Sequence, residues 1–302
     1  MKGKISVIIP IYNGEQYIEN LIDCLINQTY KDFEVFFVED HSTDNSENIL
    51  RKYSSLDKRF ILLKPTEKMG TAVKGQEYAL PYCNGRYHFF MSQDDYIDLD
   101  FFEKCVNTIV EYDADVVIPN CILCDGIKNK KQSIYPIAGD YSSSIDNRDA
   151  FLLSLDWQIH GFTMEKMDLF RDVGLVAEFY NSEEFMKRIL FFKSKNIRFA
   201  NTNFYYRQDN PNAITKGRKY FHIDILVTDL LLYKFMKKEN FNVQICKKRL
   251  CRINREYFKW IIRGIKYNLY LKNKCYFFKK MLFLSIQIIS ENLKLLRRCN
   301  GN

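Results

Sequence analysis

The sequence contains no apolar run as long as a membrane-spanning helix. Its strongly apolar stretch near the C-terminal end, "MLFLSIQII" at 281–289, is about half of the roughly 20 residues that a span requires. The N-terminal "KISVIIP" is a short strand-like run without a cleavage site, unlike a secretory signal peptide. We therefore expect a cytoplasmic protein that has no transmembrane helix.

A complete cysteine or histidine metal site is also absent from the sequence. The nine cysteines are odd in number and scattered, which fits a reducing compartment better than a disulfide framework. "CILC" at 121–124 has zinc or redox spacing, but no second cysteine pair or nearby histidine completes a site. We expect these cysteines to be buried structural residues, because an unpaired cysteine packs as a small hydrophobe.

The composition is that of a folded chain whose charge is divided unevenly. Apolar residues make up 47% and aromatic residues 15% of 302 residues, enough for one large or two modest domains. Residues 216–302 contain 21 Lys and Arg against 5 Asp and Glu, whereas residues 1–215 contain 24 against 32. Opposite charges in the two regions indicate two different roles.

Short apolar runs alternate with amphipathic helical patterns over the first 120 residues. The predicted strands are 5–10, 33–40, 60–64, 87–92 and 114–119, and the predicted helices are 15–27, 46–54, 71–80 and 99–112. This order is typical of βαβ units, so we expect an α/β fold with a mostly parallel sheet flanked by helices. Ligands of such sheets bind at the carboxyl ends of the strands.

Acidic residues stand at two of these strand ends. Asp40 follows the second strand, and "MSQDDYID" at 91–98 places Asp94 and Asp95 directly after the fourth. Adjacent aspartates are common in solvated turns, but carboxylates at one sheet edge also suit a divalent cation such as Mg²⁺ or Mn²⁺. No G-x-G-x-x-G follows the first strand, which argues against a dinucleotide held on a helix N-terminus.

The segments 6–46 and "FMSQDDYID" at 90–98 resemble the family 2 glycosyltransferases of the GT-A (Rossmann-like) fold. These enzymes build bacterial polysaccharide, lipooligosaccharide and capsule from nucleotide-sugars. The resemblance covers roughly residues 4–215 and is strongest over 4–98 and at "YYRQDNPNAIT" (205–215). It implies a nucleotide-sugar-binding catalytic domain over 1–215, followed by a basic, aromatic-rich helical extension over 216–302.

The resemblance places the donor's nucleotide at the ends of the first two strands. Pro10 and Tyr12 match residues that contact the base and ribose, with the Tyr12 ring offering a stacking face. Asp40 matches an aspartate that accepts the uracil N3–H, which favours uridine because cytosine N3 carries no proton. Lys74 matches an arginine that touches the base or phosphates, and a lysine keeps the charge without the bidentate fork.

The same resemblance assigns roles to the aspartate pair and to the segment after the last strand. Asp94 would bind the ribose, and Asp95 would hold the Mn²⁺ or Mg²⁺ that bridges the two phosphates of the donor. Ser92 stands where the family often has a further acid. Arg207 and Lys216 are candidates for phosphate contact, and Asp209 replaces a histidine that is often found there.

The catalytic base is expected in "NSEEFMKRILFF" at 181–192, where the family has an acidic pair that opens a helix. Glu183 aligns best with the base and Glu184 second. Both are also the first-turn acids that a helix dipole favours, so a purely structural role is the alternative. Trp157 and His160 could border the acceptor, but a lone histidine is more often a packed, satisfied side chain.

The basic extension interleaves Lys and Arg with aromatic and aliphatic residues at helical spacing over 255–298. Such helices lie on anionic membrane surfaces, and a lipid-linked acceptor would be found there. We therefore expect peripheral association with the inner face of the plasma membrane. A helical cap packed on the catalytic domain is the alternative, and nucleic-acid binding fits the charge but not the acidic pocket.

Together these features predict an inverting, metal-dependent glycosyltransferase. It would move a hexose or N-acetylhexosamine from a UDP-sugar to a sugar hydroxyl of a lipid-linked or surface-glycan acceptor. A degenerate, non-catalytic GT-A protein that serves as a membrane-bound assembly or binding module is the alternative, suggested by Ser92, Lys74 and Asp209. A nucleotidyltransferase would need a glycine-rich basic loop, which "PIYNGEQY" lacks.

Overall fold

A computed structural model describes residues 2–126, 129–135, 140–175, 181–211, 213, 216, 223–266 and 274–299. The chain forms two compact units, one of residues 1–177 with 186–210 and the other of residues 178–185 with 211–302. No described helix is both long and apolar enough to cross a membrane. Part of the predicted segments 205–215 and 255–298 lies outside the described residues.

The first unit contains a curled sheet of ten strands. In chain order these are β1 Ile5–Ile11, β2 Phe33–Glu39, β3 Phe60–Leu63, β4 Tyr87–Phe90, β5 Tyr96–Ile97, β6 Val116–Asp125, β7 Asn129–Tyr135, β8 Ser144–Ile145, β9 Met164–Lys166 and β10 Ile197–Arg207. The strand order is β3-β2-β1-β4-β9-β6-β10-β5, with β7 paired to β6 and β8 to β10.

Seven helices accompany this sheet in the described part of the chain. They are α1 Glu15–Ile26, α2 Ser46–Leu56, α3 Ala72–Ala79, α4 Phe101–Tyr112, α5 Asn147–Ser154, α6 Met167–Val173 and α7 Ser182–Lys193. The first turn of α7 belongs to the second unit and the rest to the first. Each predicted helix among the first four appears within two residues of its expected bounds, because its apolar residues recur on one face.

Alternating residues of the strands form two apolar cores, one on each face of the sheet. On β1, Val7 and Ile9 point into the core that also contains α1 and α4, whereas Ile8 points into the core that contains α3, α6 and α7. The period of two along a strand places successive side chains on opposite faces. Both faces of the sheet are therefore covered, as the α/β prediction requires.

The pairing pattern changes halfway across the sheet. β1 pairs in parallel with β2 and β4, and β2 with β3. β9 then lies between β4 and β6 and is antiparallel to both, while β6 and β10 run parallel to each other. The predicted fold class is confirmed, with the difference that the second half of the sheet is mixed.

A buried charged network ties strands and a helix together in the first unit. Glu165 on β9 is fully buried and accepts hydrogen bonds from His88 Nδ1 on β4 at 2.7 Å and from Lys187 Nζ on α7 at 2.6 Å. The Thr163 hydroxyl donates to its second oxygen at 2.8 Å. Lys187 and His88 keep the pKa of Glu165 below its usual value although burial raises it. The network therefore fixes α7 to the strand that leads to Asp94.

In the part of the second unit that the structure describes, three helices follow the first turn of α7: α8 Ile223–Lys238, α9 Val243–Lys266 and α10 Lys274–Cys299. Ion pairs join α8 to the other two, from Asp229 to Arg249 on α9 and from Lys237 to Glu291 on α10, the latter at 2.7 Å. α9 and α10 are antiparallel neighbours, since Asn254 bonds to Asn292. The predicted helical extension is thus a packed group of helices.

Candidate active site

The Asp94–Asp95 pair lies in a turn between β4 and β5. Asp95 is 2% exposed, and its Oδ1 accepts the backbone N–H of Arg207 at 3.1 Å. Asp94 Oδ2 accepts the Asn210 side-chain amide at 2.6 Å. Tyr96 of β5 pairs with Tyr205 of β10, which brings the end of β10 against the turn. The last residues of β10 therefore hold both carboxylates in place.

The surroundings of Asp95 are unfavourable for a negative charge. Asp95 Oδ2 is buried and has no hydrogen-bond partner among the residues that the structure describes. Burial, with the charge of Asp94, raises the pKa of Asp95 well above its usual value. A buried carboxylate oxygen that has no hydrogen-bond partner costs free energy. A divalent cation would remove that cost, so these residues fit a Mg²⁺ or Mn²⁺ ion.

The protein supplies few ligands for such an ion. Within the described part of the chain, no group of three or more His, Cys, Asp and Glu side chains could hold a metal. Mg²⁺ and Mn²⁺ at nucleotide sites use one or two carboxylates and complete their coordination with phosphate oxygens and water. Asp95 as a ligand of such an ion therefore stays a prediction, in which phosphate oxygens and water would complete the coordination.

The Arg207 guanidinium contacts two neighbouring side chains. It forms a two-point ion pair with Asp209, from Nε to Oδ1 at 2.6 Å and from Nη2 to Oδ2 at 3.1 Å. It also lies over the Tyr17 ring, 4.8 Å from the ring centroid. The hydrogen bond from Arg207 holds the pKa of Asp209 well below its usual range. The predicted phosphate contact of Arg207 stays a prediction, with Asp209 as its present partner.

Gln93 joins the loop after β1 to the loop after β4. Its amide accepts the Tyr12 N–H at 2.9 Å and donates to the Tyr12 carbonyl at 3.0 Å. A Cβ atom at Gly14 would lie 2.5 Å from Gln93 Oε1, so only glycine allows this approach. The Tyr12 ring is 40% exposed, and Lys68 Nζ lies 3.5 Å from its centroid. Tyr12 thus presents a partly exposed ring at the sheet edge, and its stacking role stays a prediction.

Asp40 organises the loop that precedes α3. Its two oxygens accept the backbone N–H groups of Met69 at 2.5 Å and Gly70 at 2.8 Å. Its own N–H donates to the Ile11 carbonyl at 2.8 Å, which fixes it beside the end of β1. Each carboxylate oxygen can accept a second hydrogen bond. The predicted contact with a uracil N3–H is compatible with this arrangement and stays a prediction.

Pro10 and Lys74 lie on the two sides of a close helix–strand contact. A Cβ atom at Gly75 would lie 3.2 Å from the Pro10 ring, so α3 approaches β1 closely at this point. Lys74 is exposed in the first turn of α3, whose Thr71 hydroxyl accepts the Lys74 N–H at 3.3 Å. The structure therefore brings Pro10, Tyr12, Asp40 and Lys74 to the ends of β1 and β2, where the sequence analysis placed them.

The backbone at this edge takes left-handed conformations that non-glycine residues rarely adopt. Asn13 after β1 has φ 48° and His41 after β2 has φ 58°. Glu39, fully buried, accepts the backbone N–H groups of His41 and Ser42. Such conformations persist only where surrounding contacts impose them, and they cluster at functional sites. Glu39 is therefore a residue that shapes the turn.

The predicted catalytic acids lie elsewhere in the chain. Glu183 and Glu184 occupy the first turn of α7, which groups with the second unit, and Lys216 belongs to that unit as well. The predicted helix at 181–192 corresponds to α7, but the role of either glutamate as the base stays a prediction.

His160 and the cysteine pair fit the structural interpretations. His160 Nε2 donates to the Pro119 carbonyl at 2.8 Å, and its Nδ1 accepts the Phe162 N–H at 3.2 Å. Cys121 and Cys124 are buried and unbridged on β6. Trp157 is 38% exposed. The two thiols lie near the aspartate pair, since burial together with the charge of Asp95 raises the pKa of both Cys121 and Cys124.

Three site residues received no role from the sequence. Gln93 and Asn210 hold the loop of Tyr12 and the carboxylate of Asp94, and Lys68 covers the Tyr12 ring. Asn210 lies 116 positions from Asp94, and no local pattern predicts so distant a pair. For Gln93 the only signal is its place directly before the aspartate pair.

Comparison with known proteins finds relatives of this chain. Residues 6–174 match the family model described as glycosyl transferase family 2. Glycosyltransferase GlyG of Streptococcus pneumoniae is 30% identical over 230 residues, which cover 72% of this chain and 74% of GlyG. Glycosyltransferase GlyA of the same organism is 38% identical over 117 residues, but the match covers only 16% of GlyA and 39% of this chain.

The solved structures show the same fold. S. aureus TarS 1-349 in complex with UDP-GlcNAc superimposes with a TM-score of 0.68 and 18% identity, over 94% of this chain and 81% of the TarS chain. The predicted GT-A fold is thereby confirmed. Since the family match covers more than half of the sequence and GlyG is matched over most of its own length, the chain belongs to glycosyltransferase family 2.

Proposed function

We propose that the chain is an inverting, metal-dependent transferase that moves a hexose or N-acetylhexosamine from a UDP-sugar to a sugar hydroxyl of a lipid-linked or surface-glycan acceptor. The observation that carries this proposal is the buried Asp95 carboxylate, whose Oδ2 has no partner in the described residues and lies beside Asp94. A fold alone does not determine an activity, but the buried Asp95 carboxylate beside the half-buried Asp94, at the carboxyl edge of the sheet, supports a site for a metal and a diphosphate.

Uridine is the nucleotide that the site favours. Asp40 is an acceptor held by Met69 and Gly70 at the end of β2, and each of its oxygens retains a lone pair for the uracil N3–H. Tyr12 presents a ring for stacking, and Asp94 is available to the ribose. The TarS structure that superimposes on this chain is a complex with UDP-GlcNAc, which supports a UDP-sugar as donor.

Metal and cation contacts would neutralise the departing UDP. A Mg²⁺ or Mn²⁺ ion, when bound, would offset the charge that grows on the diphosphate. Asp95 would hold the ion, and the exposed Lys74 side chain would approach the phosphates. Arg207 would join them only if its ion pair with Asp209 opened or was shared with the donor.

The acceptor hydroxyl requires a base. Glu183, or Glu184 as the second candidate, would remove the proton of the acceptor hydroxyl. The acceptor oxygen would attack the anomeric carbon at the same time, from the face opposite to UDP. A single displacement of this kind inverts the anomeric configuration and forms no covalent enzyme intermediate.

UDP release from a panel of UDP-sugars, with Mn²⁺ and with EDTA, tests the proposal. We expect one sugar to give metal-dependent release that Asp95→Asn abolishes. Asp23→Asn is the matched control, because Asp23 is an exposed aspartate on α1, and it should retain wild-type release. If the folded protein releases UDP from no sugar even with lipid present, the enzyme proposal fails in favour of another nucleotide or a non-catalytic binding module.

A further inference from the structure

The outer face of α10 is apolar. The helix packs inward through Phe277, Leu284 and Ile288, which recur with helical spacing and are buried. Its opposite face should be polar in a helix that only caps a domain. Instead, Ile286 and Ile289 are 57% and 59% exposed. Packing within the unit therefore does not account for the apolar residues on this face.

The exposed apolar residues of α9 and α10 adjoin each other. The two helices meet where Asn254 bonds to Asn292 at 3.1 Å and Tyr257 bonds to Ser285. Five exposed apolar residues of α10 recur at intervals of three or four positions and so lie on one face, and Phe258 of α9 lies four positions after Asn254. Together they form a continuous surface, which we call the seam patch, and it consists of Phe258, Phe278, Leu282, Ile286, Ile289 and Leu293.

The charges of this unit are sorted between inside and outside. Three of the five acids in residues 216–302, Asp224, Asp229 and Glu291, are buried and form ion pairs with basic residues of neighbouring helices. Four basic residues form an exposed row along α9 at spacings of four, three and four, namely Lys248, Arg252, Arg255 and Lys259. Glu256 pairs with Lys259 at 2.6 Å and lies 3.9 Å from Arg255, so one acid faces the four cations and the outward surface next to the seam patch keeps a net positive charge.

We propose that the seam patch and the basic row of α9 dock on an anionic lipid leaflet. Aromatic and aliphatic side chains would enter the boundary between headgroups and acyl chains, and the row of cations would face the lipid phosphates. A second copy of the chain is a poorer occupant, because two basic rows would be brought together. Nucleic acid would match the cations but would leave the apolar patch in contact with water.

Flotation of the full chain with vesicles tests this proposal without any catalytic readout. We expect binding to phosphatidylcholine vesicles that contain phosphatidylglycerol, weak binding to phosphatidylcholine alone, and loss of binding at high salt. Ile286→Ser/Ile289→Ser should weaken binding by about tenfold or more, since the variant lacks two aliphatic side chains that would enter the membrane. Arg252→Gln/Arg255→Gln should weaken it by about 30-fold, because two basic residues at roughly 1 kcal/mol each contribute about 2 kcal/mol.

The matched control is Leu56→Ser/Val110→Ser, which removes two exposed apolar side chains from the first unit. It should bind vesicles as the wild type does. Circular dichroism melting verifies that each variant is folded. Equal binding by the wild type and Ile286→Ser/Ile289→Ser would overturn the proposal. So would a wild-type dimer in light scattering that this variant converts to a monomer, because the patch would then contact a second copy.

Discussion

At Asp95, the demands of stability and of the proposed chemistry oppose each other. The carboxylate is buried beside Asp94, and burial raises its pKa well above the usual value. We expect Asp95→Asn to raise the free energy of unfolding in EDTA by about 1–2 kcal/mol, as removal of strained active-site charge commonly does. Mn²⁺ should stabilise the wild type but not this variant. Urea unfolding with and without Mn²⁺ measures both effects.

The exposed Asp23→Asn variant is the control for that experiment, and its unfolding free energy should stay within about 0.5 kcal/mol of the wild type. A variant at Asp95 that is less stable than the wild type in EDTA would mean that attraction between the Arg207 and Asp95 charges outweighs the cost of burying the carboxylate.

Glu183 carries the prediction for the base. Glu183→Gln keeps the shape of the side chain but removes its ability to accept a proton, so kcat for transfer should fall by about 10²–10⁴-fold. The KM for the donor should change little, because UDP binding is assigned to other residues. Glu184→Gln is the matched neighbour and should retain most activity. Steady-state transfer kinetics decide between them, and the reverse pattern would assign the base to Glu184.

His160 predicts how stability depends on pH. The Pro119 carbonyl can only accept and the Phe162 N–H can only donate, so the two contacts require a neutral ring with its proton on Nε2. Burial lowers the pKa of His160 to about 4, below the unfolded value of about 6.5. The unfolded chain therefore binds more protons between these pH values, and stability is lost as the pH falls through this window.

The expected loss from His160 is roughly 3 kcal/mol between pH 7 and pH 4, at 1.36 kcal/mol for each unit of pKa difference. Urea unfolding across this range measures it. His160→Gln should be less stable at neutral pH but should show a shallower decline on acidification. An unchanged slope would assign the acid sensitivity to other groups, among them the buried His88, whose pKa burial also lowers.

Residues of the site differ in how well the sequence predicts them. Asp40, Asp94 and Asp95 follow predicted strands, and the rule that ligands bind at the carboxyl ends of strands locates them. The hydrogen bond from Asn210 to Asp94 and the two hydrogen bonds between Gln93 and the Tyr12 backbone depend on the three-dimensional path of β10 and of the loop after β4. Side-chain pairs so far apart in the chain leave no local pattern.

Among the structural elements, α7 depends on one buried ion pair. Lys187 Nζ lies 2.6 Å from the fully buried Glu165 Oε1, and its side chain is 12% exposed. Lys187→Met would leave the Glu165 charge buried without its cation, so we expect a loss of about 3–5 kcal/mol in the free energy of unfolding. The double variant Lys187→Met/Glu165→Gln should recover much of that loss. Urea unfolding of both variants measures the difference.

Lys193→Met is the matched control on the same helix. Lys193 pairs with Asp172 at 2.8 Å, but both side chains are largely exposed at 41% and 69%. A surface pair of this kind contributes about 0–1 kcal/mol. If Lys187→Met cost no more than Lys193→Met, the buried network would not fix α7 to the sheet.

The sequence predicts the pairing of strands that follow one another along the chain, but not the pairing of strands that are far apart in the chain. β1 to β3 and their helices follow one another as βαβ units, so periodicity and order determine their pairing. β9 has three residues and inserts antiparallel between β4 and β6. Nothing local distinguishes so short a strand from a loop, so the mixed half of the sheet was not predicted.

At the scale of the whole molecule, the chain divides its charge and its predicted chemistry between two units. The Asp94–Asp95 site lies in the first unit, whose two apolar cores are its own. The first turn of α7, with Glu183, groups with the helices α8 to α10, where the Thr228 hydroxyl donates to the Asn181 carbonyl at 3.2 Å. The predicted boundary at 215/216 therefore separates the α7 turn from the helices that it groups with.

This arrangement predicts what a truncated chain of residues 1–215 would do. It should still bind UDP with Mn²⁺, because Tyr12, Asp40 and Asp95 keep their surroundings in the first unit. Its transfer rate should fall by about 100-fold, since a displacement of roughly 1 Å in a catalytic group has that effect. Calorimetric titration with UDP and a transfer assay with the full chain as reference separate the two quantities. Loss of UDP binding would show that the first unit does not fold alone, whereas full transfer activity would mean that α8 to α10 do not position the base.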